Sequence, residues 1–208
     1  MPSGARNRLV YNGWVFEPFT LAALDHTFDC GRDDLNDFFA NDLIPHEDQL
    51  FTRTYVLTPQ EATVAEGYAP VAFISFCNDA IQKGDFKTAE AQQAIDSLPE
   101  PKRYRALPAV KIARLGVQKE LRGRGVGSFL LNVAKCLFLC NNRTGCRFLT
   151  VDAYNDDETL HFYQKSLFQF LTEKDKNRDQ RALFFDLKRT PDNELEAFSR
   201  ALQIKSAL

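Results

Sequence analysis

The chain has 208 residues, of which 44% are hydrophobic, and its formal net charge is −2. This length suits one domain with a substantial core, and no apolar run reaches the roughly 18 residues of a membrane span. The amino terminus lacks the long apolar stretch of a secretory signal, so we expect a cytoplasmic protein without membrane contact. The five cysteines include no C-x-x-C pair, which argues against a zinc site or a disulfide framework.

The first half of the chain predicts three strands and one helix. Apolar periodicity places strands at residues 14–19, 51–57 and 71–77, and a helix at residues 31–42. The polar, helix-tending residues 78–107 are bounded by prolines at one end, and we predict that they form an insertion packed on the domain.

The second half predicts strands that alternate with helices. In chain order they are strand 109–117, helix 127–140, strand 148–153, helix 157–165, strands 167–171 and 182–187, and helix 191–204. Interleaved strands and helices indicate an α/β or α+β domain with a mixed sheet. We therefore expect a single domain over residues 1–208, with its core at about 14–188.

Charge is distributed unevenly along the chain. Residues 25–48 carry eight acidic side chains and one basic one, whereas residues 102–124 carry eight basic side chains and one acidic one. Most of these charges are expected to be solvated. The basic stretch nevertheless coincides with the predicted phosphate site described next, where it would steer an anionic ligand.

The most informative segment is a glycine-rich turn between an apolar strand and an apolar helix. It reads Arg-Gly-Arg-Gly-Val-Gly over residues 122–127. Glycines allow a tight turn with accessible N–H groups, the helix N-terminus adds partial positive charge, and the two arginines add full charges. This combination predicts a phosphate or pyrophosphate site. It lacks the Lys-Ser/Thr pair of a P-loop and the G-x-G-x-x-G spacing of a dinucleotide fold.

The order of residues in this turn resembles motif A of the GNAT N-acetyltransferase superfamily, Q/R-x-x-G-x-G/A after a strand. Arg122, Gly125 and Gly127 occupy its fixed positions. The resemblance implies one GNAT-like domain with a central mixed, V-splayed sheet flanked by helices. It implies acetyl-CoA as co-substrate, no metal, and these cofactor-binding residues: Leu115, Gly116, Val117, Arg122, Gly123, Arg124, Gly125, Val126, Gly127, Ser128 and Asn155.

Downstream residues extend the resemblance to catalysis. Ala153-Tyr154-Asn155 follows a strand, and Phe162-Tyr163 precedes Leu167-Phe168, where the family usually has glycine in place of the leucine. By resemblance, the asparagine contacts the cofactor arm, and the backbone N–H groups around Leu115 and Val117 polarise the thioester carbonyl. Tyr163 is the predicted catalytic residue, because a phenol of pKa about 10 can donate a proton to the departing thiolate.

The sequence offers no clear general base. The strand that carries Lys111 and Arg114 holds no carboxylate, and Asp152 on the following strand is the one candidate, although it could simply pair with a base. An α-amino group needs little help, since its pKa is about 7.7–8.0. The three scattered histidines are expected to be structural.

The acceptor stays open at this point. Phe28-x-Cys30-Gly31, with Arg114, Leu115, Val117 and Tyr163, resembles the GNAT toxins, which acetylate aminoacyl-tRNA and pair with an antitoxin. The slightly acidic chain argues against a tRNA partner. We therefore favour a primary amine of a small molecule or peptide. The toxin-like activity on tRNA and a CoA-binding module without turnover remain alternatives. A homodimer is possible in each case.

Overall fold

The computed structural model describes residues 9–11, 13–21, 27–60, 70–99, 104–140 and 145–190. The predicted C-terminal helix 191–204 lies outside these residues. Within them, no helix combines the length and the apolar character needed to cross a membrane.

Eight strands form one mixed sheet, which confirms the predicted α/β fold class. They are β1 (Leu9–Tyr11), β2 (Trp14–Pro18), β3 (Arg53–Pro59), β4 (Ala72–Gln82), β5 (Ala106–Val117), β6 (Phe148–Tyr154), β7 (Gln169–Phe170) and β8 (Gln180–Asp186). The order across the sheet is β1-β2-β3-β4-β5-β6-β8-β7. Neighbours β1 to β4 pair antiparallel, β5 and β6 pair parallel, and β8 pairs antiparallel with both β6 and β7.

The α-helices of the described residues are α1 (Asp33–Asp37), α2 (Leu43–Asp48), α3 (Ala89–Asp96), α4 (Val126–Cys140) and α5 (Asp157–Lys165). A π-helical turn, Phe38–Asp42, joins α1 to α2. The chain folds into two compact units. Unit 1 holds residues up to Cys77 together with Ala113–Val133, and unit 2 holds Asn78–Ile112 and Ala134–Leu195.

Unit 1 is built around an aromatic core. The ring of Phe73 on β4 contacts the rings of Phe28, Phe38 and Phe39, with centroids 5.3, 6.1 and 4.9 Å away. Phe38 and Phe39 lie on the buried face of the helical segment 33–48, together with Leu35 and Leu43. Apolar residues at this spacing cover one helix face, so burial against β4 stabilises the segment as a helix.

The helical segment is longer than predicted. The sequence placed its end at Asp42, whereas the structure continues it through Pro45. A proline inside an α-helix removes one hydrogen bond and clashes with the preceding turn. Here the π-helical turn widens the chain just before that proline, and the N–H of Leu43 donates to the carbonyl of Phe38 five residues back. The helix therefore continues to Asp48.

Unit 2 has its own core, centred on Phe148 and Phe184, whose ring centroids are 6.1 Å apart. Phe86 packs against both rings. Residues 78–82 and 106–107, inside the predicted insertion, belong to β4 and β5, and Ile81 and Leu107 are part of this core. The segment therefore supplies strand and core residues of the fold. The domain boundaries drawn from the sequence stay a prediction.

The pairing of β4 with β5 contains one extra residue on β5. At one end the N–H of Gln118 donates to the carbonyl of Val71, and at the other the N–H of Lys83 donates to the carbonyl of Arg105. The β5 segment between these bonds is one residue longer than the β4 segment. A difference of one residue between paired segments is the pattern expected of a β-bulge.

Candidate active site

The glycine-rich turn forms an open loop ahead of α4. We call residues 119–128 the cofactor loop. It begins with a short 3₁₀ turn, Lys119–Leu121, and continues through Gly123 and Gly125, whose φ angles are +72° and +83°. L side chains rarely adopt this conformation, which explains glycine at both positions. A Cβ at either glycine would meet nothing within 4 Å, so the backbone is accessible to a ligand.

The start of α4 supplies hydrogen-bond donors to this loop. The N–H of Phe129 donates to the carbonyl of Gly125, which is the first bond of the helix. The N–H groups of Val126, Gly127 and Ser128 precede it and have no intrahelical partner. The first turn of α4 carries no acidic residue, and Arg122 and Arg124 are exposed beside it. Donors, helix dipole and arginines together are features that suit a pyrophosphate. The binding of acetyl-CoA by these residues stays a prediction.

Gly116 has a packing role that the sequence did not reveal. A Cβ at this position would lie 2.5 Å from Cε1 of Phe73, closer than side chains approach one another in proteins. The glycine therefore makes room for the central ring of the unit 1 core. Its neighbours Leu115 and Val117 are partly buried on β5. Their role in polarising the thioester carbonyl stays a prediction.

The basic and acidic side chains of β5 and β6 are engaged with one another. Nζ of Lys111 lies 2.8 Å from Oδ2 of Asp152, in an ion pair that is partly exposed. The guanidinium of Arg114 lies 5.1 Å from the ring centre of Phe38, and its Nη1 donates to the carbonyl of Ala113. Because Asp152 is paired with a lysine, it is a poor candidate for a general base.

Tyr163 lies on α5 in unit 2 and is almost fully buried. The residue is 6% exposed, and its ring meets those of Phe162 and Phe168 edge to face. Burial raises the pKa of the Tyr163 phenol above its ordinary value. The hydroxyl therefore stays protonated through the neutral range and can act as a donor.

Asn155 is hydrogen-bonded to the loop that follows β7. Its Nδ2 donates to the carbonyls of Lys176 and Arg178, at 2.9 and 2.7 Å, and its main-chain N–H donates to the carbonyl of Asp179. These bonds hold the charged loop 172–179 against the end of β6. A contact from Asn155 to the cofactor arm stays a prediction, and its side-chain oxygen is the atom left to make it.

Of the three histidines, His161 is exposed on α5, His26 lies outside the described residues, and His46 is partly buried. His46 packs edge to face against Phe38 and Phe51, and Cys30 and Cys146 are buried. Among the described residues, no cluster of His, Cys, Asp and Glu could hold a metal ion. A cavity of about 710 Å³ in unit 2 is lined by residues of α3, α5 and β7 and includes none of the predicted site residues.

Comparison with known proteins identifies the family. The sequence profile of the acetyltransferase (GNAT) family matches residues 37–167, well over half of the chain, so the protein belongs to this family. Membership confirms the predicted enzyme class, an acyltransferase, and acetyl-CoA as its co-substrate. Among curated proteins, the comparison found no match.

Several solved structures share the fold. A tyrosine-to-phenylalanine mutant of KacT is 23% identical, covers 85% of this chain and 96% of its own, and has a TM-score of 0.69. AtaT complexed with acetyl-methionyl-tRNAfMet is 24% identical, with coverages of 84% and 95% and a TM-score of 0.65. AtaTR bound with AcCoA is 24% identical, with coverages of 85% and 95% and a TM-score of 0.66. At these identities the likeness shows the GNAT fold.

Proposed function

We propose that this acetyltransferase acts on an α-amino group, and that the aminoacyl group of a charged tRNA is its acceptor. The observation that carries the first part concerns the two strands where a base was sought: β5 has no carboxylate, and Asp152 on β6 is paired with Lys111. Without a base, the acceptor amine must reach its neutral form unaided. An α-amine of pKa about 7.7–8.0 does so near neutral pH, whereas a lysine-type amine of pKa about 10.4 does not.

The proposed step conserves atoms and charge. The acceptor ammonium loses a proton to water, and the neutral nitrogen attacks the thioester carbonyl, whose oxygen receives hydrogen bonds from N–H groups near Leu115 and Val117. A C–N bond forms and the C–S bond breaks. Tyr163, kept protonated by burial, donates a hydrogen bond from its hydroxyl to the departing sulfur. The nitrogen loses one proton as it becomes an amide, and the CoA thiolate takes up one proton, so the products are the N-acetyl amide and the free thiol.

The choice of tRNA differs from the preference drawn from charge, and one reason is that three of the eight acidic residues of 25–48 are bonded within the protein. Asp29 is bonded to Lys119, and Glu47 to Arg53 and the N–H of Thr54. Asp37 accepts a hydrogen bond from Asn41. These carboxylates are poorly suited to recruit a cationic acceptor.

Similar proteins support the same acceptor. One AtaT structure contains acetyl-methionyl-tRNAfMet, and another AtaT structure is bound to the C-terminus of the antitoxin AtaR. By analogy we propose a toxin-like role with an antitoxin partner. A cationic small amine remains the second candidate, since Asp33, Asp42 and Asp48 are exposed on the helical segment 33–48.

The missing base is tested by the pH dependence of the rate. With an aminoacyl acceptor at low concentration, kcat/KM should rise tenfold per pH unit and level off near pH 8, where the amine becomes neutral. Measurement from pH 5.5 to 9.5 checks this. A kcat/KM that is already constant between pH 5.5 and 7 would indicate an enzyme carboxylate acting as base and would contradict the proposal.

A further inference from the structure

The Phe-x-Cys-Gly motif of residues 28–31 has no role in the acetyl transfer proposed above. It lies in unit 1 just before α1, where Phe28 joins the aromatic core and Cys30 is buried. The other two residues, Asp29 and Gly31, contact Lys119 and Arg122 of the cofactor loop.

Asp29 binds the first residue of the cofactor loop through both its main chain and its side chain. Its carboxylate accepts from Nζ of Lys119 at 2.6 Å, and its carbonyl accepts from the N–H of Lys119 at 3.0 Å. The same carboxylate accepts from the N–H of Gly31 at 2.7 Å and from Nδ2 of Asn36 at 3.0 Å. These donors lower the pKa of Asp29 to about 2, so the group is ionised under working conditions.

Gly31 provides a flat surface for the next part of the loop. The Nη1, Cζ and Nη2 atoms of Arg122 lie 3.6, 3.7 and 3.7 Å from the point where a Cβ on Gly31 would stand. Three nearly equal distances mean that the guanidinium plane faces the glycine. Gly31 has a φ of +72°, and its N–H is held by Asp29. The turn therefore contacts both Lys119 and Arg122.

We infer that the turn formed by Asp29, Cys30 and Gly31 positions the cofactor loop for acetyl-CoA, with Asp29 as its central positioning residue. This inference rests on the proposed role of the loop in holding the pyrophosphate. A single surface ion pair stabilises little. Here, however, Asp29 and Lys119 are joined by two bonds. In addition, Gly31 packs against the guanidinium of Arg122.

The substitution Asp29→Ala separates positioning from electrostatics by the sign of its effect. Removing a negative charge beside an anion site would, by electrostatics alone, tighten acetyl-CoA binding and release Lys119 toward the phosphates. Loss of positioning weakens binding instead. We expect the Kd and the KM for acetyl-CoA to rise about fivefold, which corresponds to the net contribution of roughly one hydrogen bond. The kcat at saturating acetyl-CoA should stay within about twofold of the parent.

The experiment is calorimetric titration of the full chain with acetyl-CoA, using Asp29→Ala, Lys119→Met and the double variant. Because the two residues act together, the double variant should bind no more weakly than the weaker single one. Arg53→Met is the matched control, since its side chain is 56% exposed in an ion pair with Glu47 and that of Lys119 is 55% exposed. The control should leave the Kd unchanged.

Two further variants complete the test. Asp29→Asn keeps the shape of the side chain and should raise the Kd less than Asp29→Ala does, which also provides a readout if the alanine variant folds poorly. Tighter or unchanged binding in a folded Asp29→Ala protein would overturn the inference. If Gly125→Glu also left binding unchanged, the assignment of the cofactor loop itself would fail, so the two failures are distinguishable.

Discussion

Tyr163 is held by its surroundings in the protonation state that the proposed step requires. Its ring is buried between Phe162 and Phe168, and burial raises its pKa. The resemblance to the GNAT family predicted Tyr163 as the donor, but the sequence did not predict this burial. The raised pKa makes the phenol a reluctant acid in the ground state, so its main contribution is a hydrogen bond that strengthens as charge develops on the sulfur.

Tyr163→Phe should therefore lower kcat by roughly 100-fold, the lower range for loss of a positioned proton donor. The acetyl-CoA Kd should stay within about threefold, because the ring and its packing are retained. Steady-state kinetics and calorimetry measure the two quantities. Tyr55→Phe, which removes a hydroxyl from a ring stacked on Phe16, is the control and should leave kcat unchanged. An equal loss of kcat in both variants would refute a specific role for Tyr163.

The buried thiol of Cys146 is expected to make the free energy of unfolding depend on pH in the alkaline range. Burial raises the pKa of its thiol from 9.0 to about 11. Below pH 9 the thiol is protonated in both states, so its contribution to stability is fully present. As the pH rises toward 11, the unfolded chain loses this proton first, and the free energy of unfolding falls. Urea unfolding from pH 8 to 11 should show a decline that is smaller in Cys146→Ala, by up to about 2 kcal/mol at pH 11. Parallel curves would contradict the assignment.

Among the elements, α5 shows what the sequence can predict well. It spans Asp157–Lys165, as expected, because its ends are set locally. The side chain of Asp156 accepts from the N–H of Thr159 as an N-cap, and Lys165 lies in the last turn. By contrast, β1 was missed, since a strand of three residues carries no usable periodicity. The continuation through Pro45 was missed because it depends on the π-helical turn.

The cofactor loop was predicted from pattern alone, and its binding role is tested by one substitution. Gly125→Glu places a negative charge and a side chain in an exposed position with φ of +83°. Acetyl-CoA affinity should fall at least 100-fold by repulsion of the pyrophosphate and blockage of the N–H groups. Calorimetry measures it, and Gly145→Glu is the control, since that glycine has a similar φ of +69° and open surroundings. Similar affinity in both variants would refute the assignment.

At the scale of the whole molecule, the sequence indicated the fold and the family through motif A, but not the contacts between distant segments. Lys119 and Asp29 are 90 residues apart, and no local pattern links them. Gly116 stood in the predicted cofactor set, although its lack of a side chain is explained by Phe73. The net charge favoured a cationic acceptor, but charge counts do not show which carboxylates are bonded within the protein, as Asp29 and Glu47 are.

The proposed acetylation of the α-amine of aminoacyl-tRNA can be measured directly. The most direct measurement incubates the protein with labelled acetyl-CoA and separate pools of charged tRNA, deacylated tRNA, polyamines and peptides. We expect label in the charged-tRNA pool alone, released with the amino acid on mild alkaline hydrolysis, and reduced by added salt, because phosphate contacts weaken as salt rises. Label in the polyamine or peptide pool with none on charged tRNA would contradict the account and favour the cationic-amine acceptor.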